Sequence, residues 1–152
     1  MSIQFQHFSP PGALAYYLLG CYMSDGNVFK DSGRYRISFY SKDRDFVEMV
    51  KNFIDASANV NKEKNQELFV FRKRSKFLGE WMEAHGCIPN KSLQLRWPEK
   101  LPKAYFRDFF RGYIDGDGSI FPNNSKGTIW GSVKICSGSE GFIDDVIEVL
   151  RD

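Results

Sequence analysis

Leu18-Leu19-Gly20-Cys21-Tyr22-Met23-Ser24-Asp25-Gly26 and Phe110-Arg111-Gly112-Tyr113-Ile114-Asp115-Gly116-Asp117-Gly118 are two versions of one phrase, offset by 92 residues from Asp25 to Asp117. The likeness extends outward. Pro10 falls opposite Pro102, and Asn27-Val28-Phe29 falls opposite Ser119-Ile120-Phe121. At an offset of 96, residues 36–41 match 132–137, and 46–50 match 142–146. The shift in offset places a loop four residues longer in the second copy. Taken singly, an Asp-Gly pair is a common turn that stops a helix. A shared order of apolar helix, Asp-Gly, strand, turn, strand, serine and amphipathic helix is the signature of an internal repeat.

The repeat reads as α+β. Residues 11–24 predict a helix, with Ser9 as a candidate cap, Pro10 and Pro11 in the first turn, and a body apolar on nearly every side. Such a helix is buried. Strands follow over 27–31 and 34–40, joined by a turn at Asp31-Ser32-Gly33. Ser41 is the candidate cap of a helix with Phe46, Val50, Phe53 and Ile54 on one face. A second hairpin over 58–63 and 67–74 turns at Lys64-Asn65-Gln66. Ser75 caps a further helix that Gly86 ends. The reading divides the chain into a complete repeat, 1–101, and a second, shorter repeat, 102–152.

Composition sets the bounds. The 152 residues are 42% hydrophobic and 26% charged, which excludes a disordered or fibrous chain. No apolar run approaches the ~20 residues needed to cross a bilayer. The N-terminal stretch lacks the basic flank and apolar core of a secretory signal. Three cysteines without a CxxC pair suit a reducing compartment, cytoplasmic or organellar, and two histidines are too few for a histidine metal centre. The net charge of +2 hides an uneven distribution: residues 34–107 carry sixteen Lys/Arg against nine Asp/Glu, whereas 108–152 carry four against eight. A basic middle and an acidic end fit a polyanion-binding face beside a separate carboxylate site.

Gly20 and Ser24, like Gly112 and Gly116, are one helical turn apart. Small residues at that spacing let two helix backbones approach closely. Packing by these faces brings Asp25 and Asp117 together at two helix C-termini, where they repel each other and meet the negative ends of both dipoles. A divalent cation resolves the conflict. Two carboxylates with backbone carbonyls, here those of Ser24 and Gly116, suit Mg²⁺. Such a centre activates water and stabilises the leaving oxygen of a phosphodiester.

The strands point to the partner. Arg34, Arg36, Ser38 and Tyr40 alternate with Tyr35, Ile37 and Phe39, and in the second copy Ser132 and Lys134 alternate with Val133 and Ile135. Arg72 and Arg74 are expected outward because Phe69 and Phe71 are bulkier. A sheet with one apolar and one basic face covers a core and lies along a duplex.

These residues resemble the LAGLIDADG homing endonucleases. The two phrases stand where that family's motifs stand, with Met23 at a sixth position that is usually acidic; the likeness extends over RISFYSKDRDFVEMVKNFI and HGCIPNKSLQLRWPEKLP. The resemblance implies pseudo-symmetric αββαββα repeats whose antiparallel saddle sheets sit on double-stranded DNA. Asn27, Phe29 and Ser119 then join the DNA-facing set. It implies Asp25 and Asp117 as metal-binding catalytic acids, Lys91 as a lysine tuning the attacking water or phosphate charge, and site-specific, Mg²⁺-dependent double-strand cleavage. It also implies a gene carried in an intron, as an intein, or free-standing. Members with two motifs usually continue past the second. The bare surface and strand edge left here lead us to expect self-association. Two other readings stay open: a non-cleaving binder on the same fold, such as an intron RNA maturase or a DNA-binding regulator, and an unrelated domain whose Asp-Gly pairs are turns.

Overall fold

The structure is a computed structural model that describes residues 4–152. The chain runs α1 (Ala13–Asp25), β1 (Gly26–Asp31), β2 (Arg34–Ser41), α2 (Arg44–Ile54), β3 (Val60–Lys62), β4 (Phe69–Arg74) and α3 (Lys76–Ala84). A loop with short 3₁₀ turns leads to α4 (Phe106–Asp117), β5 (Gly118–Ser125), β6 (Thr128–Ile135) and α5 (Glu140–Arg151). Each half therefore repeats helix, hairpin, helix. No helix among the described residues is long and apolar enough to cross a membrane.

α1 is the axle of the molecule. Every residue from Ala15 to Met23 is buried, so the helix has no solvent face. Its closest neighbour is α4. A Cβ on Gly20 would lie 2.2 Å from the Phe109 carbonyl oxygen, and a Cβ on Gly112 would lie 2.0 Å from that of Tyr17. The two backbones touch at both points, and only hydrogen fits between them.

The first hairpin turns on Ser32 and Gly33, both with positive φ (48° and 76°), the twist a two-residue turn requires. β1, β2, β4 and β3 form one antiparallel sheet in that order. Its inner face, with Val28, Ile37, Phe39 and Phe71 all at 0% exposure, covers α1. α3 closes one end, where the Tyr35 ring lies against Gly79. In the second half β5 and β6 form a separate two-stranded sheet. Ile120 and Val133 occupy the repeat positions of Val28 and Ile37 yet are 69% and 57% exposed.

Three expectations change. Ser9 does not cap α1, whose N-cap is Gly12 with no side-chain hydrogen bond. Nor does Ser41 cap α2: the Asp43 carboxylate accepts from the Asp45 and Phe46 amides, and Ser41 Oγ accepts from the Asp43 amide at 3.1 Å. The second copy repeats this relay, with Ser137 Oγ accepting from the Ser139 amide and Ser139 capping α5. The helices start two residues later because this Oγ holds the capping residue in place. Third, on α2 it is Val47, Val50 and Ile54 that are fully buried, while Phe46 and Phe53 sit half out.

Ala in place of Gly in an exposed helix gains about 1 kcal/mol. At the α1–α4 contact the sign reverses, because backbone cannot yield as a side chain can. Gly112→Ala is expected to lower unfolding stability by about 1–3 kcal/mol, read as a drop in urea midpoint; an unchanged or higher midpoint contradicts the contact.

Candidate active site at the paired helix ends

The glycine contact decides where the acids go. With α1 and α4 touching along their length, their C-terminal turns end side by side. A Cβ on Gly116 would meet Ser24 Oγ at 1.8 Å and Asp25 Oδ2 at 3.1 Å. Ser24 Oγ turns back to donate to the Cys21 carbonyl at 2.9 Å. Asp25 is half-buried and Asp117 is exposed.

The two carboxyls lie within hydrogen-bonding reach of each other. Desolvation, then the Asp117 charge, pushes the Asp25 carboxyl up to about 6, and its hydrogen bond to Asp117 adds to the rise. Desolvation raises Asp117 as well, while Lys91 and the hydrogen bond from Asp25 pull it back. Two like charges at the negative ends of two helix dipoles are the arrangement expected for a cation-binding pair. The residues fit a hard divalent ion such as Mg²⁺: two carboxylates together with the carbonyls of Ser24 and Gly116, which stand in last helical turns where intrahelical donors run out. No group of three or more His, Cys, Asp or Glu that could hold a metal occurs among the described residues.

Lys91 arrives from the loop between the halves. Asn90 adopts a left-handed conformation (φ 56°), and a 3₁₀ turn over Lys91–Leu93 follows. The side chain is 8% exposed, and its ammonium donates to the Gly26 carbonyl at 2.6 Å. Its charge draws both acids back toward ionisation. The loop is held at its far end by the second repeat. Arg96 grips Asp145 with two bonds of 2.7 Å, Ser139 Oγ donates to the Leu95 carbonyl, and the Trp97 ring packs edge-on against Phe106 and Phe109. Ser24, Lys91, Tyr113, Asp117 and Ser137 line a cavity of about 200 Å³ beside the acids. Burial pushes the Tyr113 hydroxyl up to about 12, and it donates to the Cys136 carbonyl at 2.9 Å.

The predicted contact residues lie along the strands of the two sheets, starting with Asn27 and Ser119 two residues beyond the acids. Arg36 stands opposite Phe29 on one side and Arg74 on the other, with its guanidinium 5.0 Å from the Phe29 ring centre. Arg72 is outward, over the Tyr40 ring and paired with Glu63. The alternation predicted for β4 holds, since Lys73 turns inward to a buried Asp55. Arg34 and Asn27 are exposed, as are Ser119 and Lys134 in the second sheet, with Ser132 half-exposed and bonded to Asn123. Ser38 is the correction. It is 2% exposed, hemmed between Asn27 and Arg72 in the ladder, and offers no free surface. Sequence reasoning also passed over Tyr17, whose hydroxyl donates to Asp115 Oδ2 across the helix pair at 2.8 Å. The extra acid at the sixth motif position of the second copy was the available signal.

The LAGLIDADG-like domain profile matches residues 12–70 and 105–152, most of the chain and both halves of the repeat. The chain belongs to the LAGLIDADG family. Two uncharacterized proteins of Methanocaldococcus jannaschii are similar to it. One is 25% identical over 91% of this chain and 53% of its own length; the other is 29% identical over 79% and 44%. This LAGLIDADG chain thus spans about half the length of these curated relatives. Among solved structures, mesophilic variants of the homing endonuclease I-DmoI align with 73% of this chain and 64% of that one, at 18% identity and a TM-score of 0.49.

A carboxyl whose folded pKa is raised opposes folding when ionised. For Asp25 the penalty is absent below the unfolded value of 3.8, grows between there and about 6, and is complete above. Asp25→Asn is therefore expected to melt a few degrees above the native protein at pH 8 in EDTA, with a smaller gain at pH 5. A melting point at or below the native one at pH 8 would contradict the desolvated pair.

Proposed function

We propose that this chain is a site-specific DNA endonuclease that hydrolyses phosphodiesters in a Mg²⁺-dependent reaction at the paired ends of α1 and α4. The observation that carries the reading is the acid pair itself: two carboxyls, one per repeat, brought together at the ends of α1 and α4 with the buried Lys91 beside them. A stable fold would lose this repulsion readily if it served nothing.

In this reading Asp25 and Asp117 would hold the divalent ion, with the backbone carbonyls of Ser24 and Gly116 as further donors. When bound, the ion supplies Lewis-acid stabilisation of phosphate oxygens and lowers the pKa of its water. The chain does the rest. Lys91 sets a fixed positive charge beside the reacting phosphate and is kept there by Gly26. The outer face of the first sheet, with Arg34, Arg36, Arg72 and Arg74, meets the duplex backbone and base edges. Ser119, Ser132 and Lys134 extend the contact with less charge. The bare apolar face of β5 and β6 is where the expected self-association would occur.

The test uses a plasmid carrying the DNA that flanks the protein's own coding sequence, joined without that sequence. The native protein is expected to cut it with Mg²⁺. Asp25→Asn and Asp117→Asn should each lower the cleavage rate by at least about 100-fold with duplex affinity in gel shift changed little. Binding by the native protein without cutting at any Mg²⁺ concentration would replace this reading with the non-cleaving binder. Arg36→Ala is expected to flatten the salt dependence of affinity by about one counterion, measured by titrating the same DNA at several salt concentrations.

A further inference from the structure

The two hairpins are copies in the repeat, yet their outer faces have diverged. In the first, Phe29 stands opposite Arg36 and Asp31 opposite Arg34. The repeat carries these rungs to Phe121 opposite Ser132 and Asn123 opposite Trp130. Both arginines and the acid are gone, and an indole has entered at the repeat position of Arg34. In the first hairpin the Arg36 guanidinium lies over the Phe29 ring. In the second a serine takes that place beside Phe121, and its Oγ accepts from the Asn123 amide at 2.7 Å. Phe121 and Trp130 are diagonal neighbours across the ladder. They are 49% and 53% exposed.

Exposed aromatic rings suit either a protein or a nucleobase, and their surroundings decide between them. Residues 118–135 carry Lys126 and Lys134 and no Asp or Glu, although 108–152 as a whole holds eight acids against four Lys/Arg. The hairpin is thus a cationic island in an acidic half. On the face that bears the rings, the other rungs offer hydroxyls and an amide, with Lys134 at the end nearest Asp117. The opposite face bears Ile120, Ile129 and Val133 instead, the chemistry of a protein core. Flat rings for bases, polar groups for their edges and a cation for phosphate are what a nucleotide strand takes. Paired bases show their ring faces only to each other, so the rings fit bases that have left the stack. By strand rise, Phe121 and the rung of Trp130 stand about 14 and about 20 Å along the ribbon from Asp117. That is about four and about six base steps. We propose that the outer face of β5 and β6 binds unpaired DNA bases by stacking them on Phe121 and Trp130, so that the target is held as duplex by the first sheet and as an opened strand by the second. The inference rests on the DNA-binding part of the endonuclease reading and on none of its chemistry.

The experiment measures affinity by fluorescence anisotropy in EDTA, so that no cutting occurs. It compares three duplexes that span the junction of the flanking DNA: fully paired, mismatched over several base pairs on one side of the junction, and mismatched on the other side. One opened duplex is expected to bind at least about tenfold more tightly than the paired one, and the other no more tightly. Because stacking releases no counterions, this gain should vary little with salt. Phe121→Ala combined with Trp130→Ala should abolish the gain and leave affinity for the paired duplex nearly unchanged. Phe121→Tyr combined with Trp130→Tyr keeps two flat rings and should keep most of it. Val133→Ser, on the opposite face, should change neither affinity. Equal binding of all three duplexes, equal gains on both sides, or an equal loss on paired and opened DNA in the double alanine variant would overturn the proposal. So would loss of the gain in Val133→Ser, or a larger gain when the opened strand is RNA, which would assign the face to RNA. Absence of binding to any of the duplexes would instead remove the DNA-binding reading and this inference with it.

Discussion

The contact of two helix backbones at Gly20 and Gly112 is the constraint on which the rest depends. Each glycine faces a carbonyl oxygen of the other helix, closer than any side chain could tolerate. That approach fixes the separation of α1 and α4, and with it the distance between whatever stands at their last turns. Because α1 is enclosed on all sides, the helix cannot tilt away without emptying the core. The repulsion between Asp25 and Asp117 is thus sustained by packing elsewhere, a local conflict held by a global fit.

The site is the result of two separable constructions. Rigid helices bring the acids, and a loop brings the lysine. The loop is precise only because it is fastened at both ends, at Gly26 through Lys91 and at α5 through Arg96, Leu95 and Trp97. The outer faces of the sheets are a third element, independent of both. Their residues alternate with core residues along the same strands, so the sequence that covers α1 also projects the arginines of the first sheet outward. The second sheet follows the same alternation with fewer charges.

Much of this was legible in the residues, and the reasons are specific. The paired phrases named the two helices, their glycine faces and the two acids, because a close helix contact demands small residues at fixed spacing. Strand alternation placed Arg36, Arg72 and Arg74 outward and Phe39 and Phe71 inward correctly. The failures were local or long-range. A serine followed by a polar pair does not reveal which oxygen takes the helix amide, so the relay from Ser41 to Asp43 and from Ser137 to Ser139 went unseen. Ser38 sits on the polar face, yet larger neighbours across the ladder hide it, which alternation alone cannot show. Lys91 was indicated by family resemblance and not by its own surroundings, since its burial depends on contacts 65 residues away. The Tyr17–Asp115 bond spans 98 residues and had no local mark beyond an extra acid.

The loop from Cys87 to Leu101 is at once the covalent bridge between the halves and the arm that carries the ammonium. A protease that severed it near Leu93, which is 78% exposed, would leave two fragments still clasped along α1 and α4. Their outer strands would still carry the same exposed arginines, while the arm, freed at one end, would lose its aim. Severance would thus unseat Lys91 while leaving the helix contact and the basic sheet face intact.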